Sequence, residues 1–182
     1  MFKALLDTDV ALFLWLDRLP HPPWMTAIMV AVTLAGSFGF VWLAIAGGVA
    51  VKERDGGNLW RTTLTILFVY ALINLGLKPL VIRSRPHRCL AVAVDIPELQ
   101  PATSSFPSSH SAASTAGAYA LSRTIPAASS VLWPLALTIS VSLIYLGNHY
   151  PLDVIVGWLI GLACGFFVTG GVTYSRRWQP KS

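Results

Sequence analysis

The chain has 182 residues, room for a single domain, of which 54% are apolar and only 12% charged, far from the balance of an average soluble protein. A soluble fold of this size has too little interior to hide so much apolar surface, so most of its helices are expected to contact lipid. The formal charge of +5 does not point to nucleic acid, because the Lys and Arg residues fall in short segments between apolar stretches rather than along one polar face.

Phe2 to Leu19 carries Leu, Phe and Trp15 at near-helical spacing but is too short and too acidic for a span, so it reads as an interfacial helix. Asp7 and Asp9 interrupt it and no small-residue cleavage site follows, which argues against a removable leader. Pro20, Pro22 and Pro23 then end it. Five stretches approach the roughly 20 apolar residues that a helical crossing requires. They are Trp24 to Val51, Leu59 to Ile82, Ser109 to Leu121, Val131 to Gly147 and Leu152 to Thr173. The third is long enough only if its helix starts near Pro107 and runs through Arg123 and Thr124 toward Pro126, with Arg123 snorkelling to the interface. Trp24, Trp60, Trp133 and Trp178 stand near span ends, where aromatic anchors belong. Cys89 in a loop and Cys164 in an apolar run occupy different environments and imply no disulfide.

The expected fold is therefore all-α, a polytopic membrane helical bundle of about five transmembrane helices plus the N-terminal helix. It forms one domain, with the interfacial helix over 1–23, the bundle over 24–175 and a basic tail over 176–182. Such a bundle puts Lys52, Arg54, Arg61, Arg123, Arg176, Arg177 and Lys181 at one face and Lys3, Arg18, Lys78, Arg83, Arg85 and Arg88 at the other. The last four form one short stretch. If they serve chemistry, the remaining asymmetry makes the first face cytoplasmic and turns the second outward.

Three segments share that second face: Lys78 to Pro86, Phe106 to His110, and Ser142 to Asp153. In the first, Pro86 biases Arg85 toward an extended backbone, which projects Arg83 and Arg85 to the same side within reach of Lys78. Three neighbouring cations suit a bound polyanion such as phosphate; equally, basic residues at a span end contact lipid head groups. In the second, Pro107 suits a first helical turn, so Ser108, Ser109 and His110 mark a helix start with unpaired N–H groups, an anion site unless the serines merely cap the helix. In the third, His149 and Asp153 stand four residues apart, and the carboxylate can orient the imidazole and leave its other nitrogen free to attack. Asp153 could instead serve only the helix dipole. Two histidines and an aspartate could also hold zinc, but the surrounding cations disfavour a metal, and none is expected. His21 and His87 lack such partners.

Together the segments resemble the signature of the type-2 phosphatidic-acid phosphatase superfamily, whose site design is shared with vanadium haloperoxidases. Lys78, Arg85 and Pro86 match its Lys-x6-Arg-Pro motif, Pro107, Ser108, Ser109 and His110 its Pro-Ser-Gly-His motif, and Ser142, His149 and Asp153 its Ser-Arg-x5-His-x3-Asp motif. Ser109 replaces the glycine, and Leu143 stands where the family has a phosphate-holding arginine. The resemblance implies a membrane lipid phosphatase in which His149 attacks phosphorus, Asp153 orients it and His110 handles the proton. Lys78, Arg83, Arg85, Ser108 and Ser109 would hold phosphate, with Arg83 compensating in part for Leu143. No cofactor is implied. The implied partners are membrane lipids and a lipid phosphate substrate of the undecaprenyl diphosphate, phosphatidylglycerophosphate or phosphatidic acid type. The loop from His87 to Ser105, with Asp95 and Glu98, is expected to cover the site. A lipid phosphotransferase on the same scaffold, or a weak or inactive lipid-binding protein because of Leu143, are the rival readings.

Overall fold

The computed structural model describes residues 2–96, 99 and 101–170. Glu98 and the expected basic tail, with Arg176, Arg177, Trp178 and Lys181, lie outside the described residues. Every regular element among the described residues is helical. The helices are α1 (Phe2–Asp17), α2 (Pro23–Gly36), α3 (Phe40–Glu53), α4 (Gly57–Ala71), the short α5 (Pro86–Cys89), α6 (Ser109–Thr124), α7 (Ser129–Tyr145) and α8 (Pro151–Gly170).

Among the described residues, four helical stretches are long and apolar enough to cross a membrane: Pro23–Glu53, Gly57–Leu77, Pro126–Tyr145 and Pro151–Thr169. Their outer faces carry Ile28, Leu67, Phe68, Leu75, Leu137, Leu159 and Phe167 exposed, as lipid contact requires, while the backbone groups are satisfied inside each helix. The first stretch is not straight. Between α2 and α3 the chain turns through Ser37–Gly39, where Phe38 (φ 51°) and Gly39 (φ 75°) are left-handed. Gly39 suits that conformation, having no Cβ to clash.

The expected span from Leu59 to Ile82 stops earlier. After α4 the helix widens into a π turn over Leu72–Leu77 and ends, because Pro79 has no N–H with which to continue the ladder. Leu80, Val81 and Ile82 lie beyond it, largely exposed. The third expected span, α6, has 16 residues and does run on to Thr124, but it is surrounded by protein rather than lipid. Ala112, Ala113, Ala116, Ala118 and Leu121 are wholly buried, and α4, α7 and α8 pack around the helix. Its poverty in large apolar residues follows from that position: small side chains let neighbours approach.

Closest of all is α8. A Cβ on Gly157 would stand 2.6 Å from the Ser108 carbonyl oxygen, and one on Gly161 would collide with that of Ala112. On the far side of α6, a Cβ on Gly117 would meet the Trp42 indole at 2.6 Å. The far ends of α3, α4 and α6 are tied together by Asn58, which donates to Glu53 and accepts from Thr124. Every helix start or end that carries the three sequence segments lies at the opposite end of the bundle, where α1 also docks. Replacing Gly161 with Val is expected to cost about 1–3 kcal/mol through overpacking, read as a lowered unfolding midpoint of the detergent-solubilised protein.

Candidate active site

The site forms where the α6 and α8 N-termini meet. The Ser108 N–H donates to the Asp153 carbonyl oxygen at 3.1 Å, so the start of α6 is hung directly on the first turn of α8. Pro107 lies outside the helix, not in its first turn; Ser108 is the N-cap, and its hydroxyl oxygen accepts from the Ser111 N–H at 3.3 Å. The capping reading of Ser108 thus holds, while its hydroxyl proton remains free to donate. Ser109, in place of the family glycine, opens the helix and accepts from Lys78 Nζ at 3.3 Å.

His149 sits in the turn between α7 and α8, reached through Gly147 in the left-handed conformation (φ 64°). Its ring is almost completely buried, with Nε2 3.2 Å from Arg85 Nη1. A guanidinium can only donate, so Nε2 carries the lone pair and the proton resides on Nδ1. Nδ1 faces Asp153 Oδ2 at 3.6 Å, slightly longer than a hydrogen bond, and has no other partner. Burial, only partly opposed by the Asp153 carboxylate, pushes the His149 imidazole down to about 4; the ring is neutral at pH 7.

Asp153 is itself held on all sides. Its Oδ2 accepts from the Tyr150 N–H at 2.9 Å and its Oδ1 from Arg83 Nη1 at 2.6 Å. The backbone of Arg85 is extended, as Pro86 dictates, and its buried guanidinium donates to the carbonyls of Thr103, Ser104 and Asn148. Lys78 Nζ shares the Thr103 hydroxyl with Arg85 at 3.4 Å. Burial lowers Arg85 to about 10, still charged at neutral pH. Burial and then Arg85 lower Lys78, which lies just past the end of its helix, to about 8. Two desolvated cations kept this close suit an anionic ligand.

His110 approaches from the opposite wall. It lies beside the Tyr70 ring with Nε2 3.4 Å from the Ser37 hydroxyl. His110, His149 and Arg85 line one cavity of about 330 Å³, closed by Leu99 and Pro101 of the expected covering loop and by Leu143. Leu143 therefore stands at the cavity wall where the family arginine would be. Arg83 does not line this cavity: its second nitrogen donates to Asp9 of α1 at 2.6 Å, and the guanidinium lies 4.1 Å above the Tyr150 ring centroid. The structure thus brings His149, Asp153, His110, Arg85, Lys78, Ser108 and Ser109 together, and sets Arg83 behind Asp153 rather than in Leu143's place.

Sequence reasoning passed over several residues. Asn148 lines the cavity with its Oδ1 buried and unpartnered, and Thr103 anchors both Lys78 and Arg85; Asn148 occupies a variable position of the third motif and Thr103 lies in none, so only burial reveals them. His87 also has a role, since its Nδ1 lies 3.2 Å from the carbonyl of Gly147 and braces the turn that presents His149. His21 lies tilted against Tyr145, with ring centroids 4.3 Å apart.

Known proteins resemble the chain in sequence and in fold. A decaprenylphosphoryl-5-phosphoribose phosphatase of Mycobacterium tuberculosis is 37% identical over 71% of this chain and 70% of its own length. An undecaprenyl-diphosphatase of Sulfolobus acidocaldarius is 33% identical over 67% of this chain and 59% of its own. The crystal structure of Aquifex aeolicus LpxE superposes with a TM-score of 0.75 at 27% identity, covering 87% of this chain and 93% of the other. The sequence profile of the PAP2 superfamily matches residues 58–177. Because that match takes in all three segments that converge on the cavity, the chain belongs to the PAP2 superfamily.

Proposed function

We propose that this multi-pass membrane protein hydrolyses a lipid phosphate or diphosphate through a phosphohistidine, with its site facing outward. The coarser activity follows from the family and its phosphatase relatives: the enzyme is a phosphoric-ester hydrolase acting on lipids. The observation that carries the finer reading is the His149 ring, neutral, with its Nε2 lone pair turned toward Arg85 and its Nδ1 proton toward Asp153. In the first step Nε2 attacks phosphorus, the bond from phosphorus to the leaving oxygen breaks, and His110 gives that oxygen its proton; burial holds the His110 imidazole down to about 4, so it takes up that proton together with the anionic substrate, whose charge offsets the nearby Lys78 and Arg85. In the second, His110 takes a proton from water, the hydroxide attacks phosphorus, and the Nε2–P bond breaks to release inorganic phosphate. Asp153 stabilises the positive charge that appears on the ring. Lys78, Arg85, Ser108, Ser109 and the free N–H groups at the α6 start would hold the equatorial oxygens, since positioning and electrostatics supply most of the acceleration in phosphoryl transfer. The Asn148 side chain adds a polar contact beside Leu143. Arg83 orients Asp153 instead of touching phosphate.

An amphiphile suits the surroundings. A more open groove of about 690 Å³, lined by Ala27, Val30, Ala31 and Leu34 of α2 and by Asp95 of the covering loop, adjoins the cavity and shares Leu34 with it. A head group in the cavity leaves its chain along that apolar helix face. Two relatives named for decaprenyl and undecaprenyl compounds favour a polyprenyl carrier over a glycerolipid. A phosphotransferase would use the same phosphohistidine with a lipid hydroxyl in place of water, and product mass with added acceptor lipids separates the two. Basic residues at the far end of the bundle (Lys52, Arg54, Arg61 and Arg123) support placing that end in the cytoplasm and the site outside.

Purified protein should release phosphate from a panel of polyprenyl and glycerolipid phosphates, in EDTA as well as without it, and His149→Ala should abolish release. Strict dependence on Mg²⁺, or activity surviving in His149→Ala, would sink the mechanism. The value of kcat/KM should fall as pH drops through about 4, where His149 gains a proton and loses its lone pair. It should also fall as pH rises through about 8, where Lys78 loses the charge that attracts phosphate. A profile flat across both limits counts against these assignments. Leu143→Arg should raise kcat by up to about 100-fold if the missing donor limits the rate; no gain in a steady-state assay would show that the Leu143 side of the cavity is not limiting.

A further inference from the structure

Helix α1 does more than lie at the interface. Asp9, Phe13 and Asp17 recur every fourth residue and so share one face, and each makes a specific contact. Phe13 is wholly buried, edge-on to the Tyr150 ring at 5.5 Å. Both Asp17 oxygens accept from the Ala93 N–H at 3.1 Å, holding the loop that covers the site. Asp9 is buried, and both its oxygens are used: Oδ2 accepts from Arg83 Nη2 at 2.6 Å and Oδ1 from the Leu152 N–H, in the first turn of α8, at 2.8 Å. Asp7, two residues earlier, is exposed.

We propose that Asp9 is a positioning residue of the catalytic centre: through Arg83 and the start of α8 it fixes the direction in which Asp153 faces His149. This role rests on the phosphatase reading above. The geometry behind it is a single planar guanidinium bridging two buried carboxylates, one nitrogen to each, at equal distances of 2.6 Å. Such a fork has a fixed angle between its donors, so the position of one carboxylate constrains the other. The Tyr150 ring beneath the guanidinium at 4.1 Å limits its remaining freedom. Without the Asp9 charge, Arg83 would be a partly buried cation with one carboxylate instead of two. It would then be free to pull Asp153 away from His149 or to swing toward the phosphate. The 3.6 Å between Asp153 and His149 Nδ1 leaves little margin for such a shift. Asp9 does not line the cavity; its effect passes through Arg83 and the start of α8.

The test is steady-state kinetics on the full-length protein in detergent, using whichever lipid phosphate the native chain hydrolyses. Asp9→Asn keeps the size of the side chain and an oxygen for the Leu152 N–H but removes the charge. The expected result is a fall in kcat of about 10- to 100-fold, the scale of a small misplacement of reacting groups, with KM within about twofold in a chain that still unfolds cooperatively, at a midpoint lowered by the lost ion pair. Arg83→Lys should show the same split, and the double variant should be no slower than the slower single one, since the two residues act as one unit. Asp9→Glu, which keeps the charge, should retain more kcat than Asp9→Asn and serves if the latter does not fold. Native kcat in Asp9→Asn, a change confined to KM, or losses that multiply in the double variant would each overturn the role while leaving the phosphatase reading intact. A native chain inactive on every lipid phosphate would overturn both.

Discussion

The close approach of α6 and α8 is the constraint on which the rest of this structure depends. Glycines at 157 and 161 let one helix backbone rest against the carbonyls of the other, and the Ser108 N–H reaches the Asp153 carbonyl. That single hydrogen bond places the end of one motif on the end of another. His110 in the first turn of α6 and His149 just before α8 consequently face one cavity from two walls. A side chain at either glycine would push the walls apart, and the two histidines would no longer face one cavity.

Around that contact, ionised groups are arranged in two layers. Lys78 and Arg85 stand near the cavity, lowered in pKa by burial but charged at neutral pH, held apart from each other by the Thr103 hydroxyl they share. Behind Asp153, Arg83 neutralises two carboxylates that could not otherwise be buried together. The cations of the first layer make their hydrogen bonds to neutral groups, whereas the second layer pairs its charges internally. This division explains how two arginines in an Arg-x-Arg sequence serve different purposes: both project from an extended segment toward the same region, yet one meets His149 and the other the Asp153 carboxylate beside it.

Lipid and protein contacts divide the helices in the same way. The four stretches long and apolar enough to cross a membrane carry large exposed side chains, while α6, rich in Ala and Ser, is enclosed by them. The catalytic helix start is thus insulated from the bilayer by its neighbours and open toward the interface, beside an apolar groove along α2. Leu143 in the cavity wall makes the site less cationic than its family pattern, and among the described residues no arginine other than Arg85 lines that cavity.

Much of this was legible in the residues themselves. Apolar stretches near the length of a crossing, prolines at their ends and three ordered motifs were enough for a membrane bundle with a phosphate-type site at one end, because crossing length and motif spacing are local properties. Helix ends were read less well: Pro107 falls outside α6 and the second span stops at Leu77, since capping and helix termination depend on backbone geometry that spacing only suggests. What the sequence could not determine is which charge meets which. Asp9 and Arg83 stand 74 residues apart, and their pairing arises only when α1 docks on α8; in the bare sequence Asp9 counts merely as an acidic residue in an amphipathic helix. Long-range ion pairs and buried amides such as Asn148 leave no periodic trace along the chain, because their partners are brought together by packing rather than by spacing.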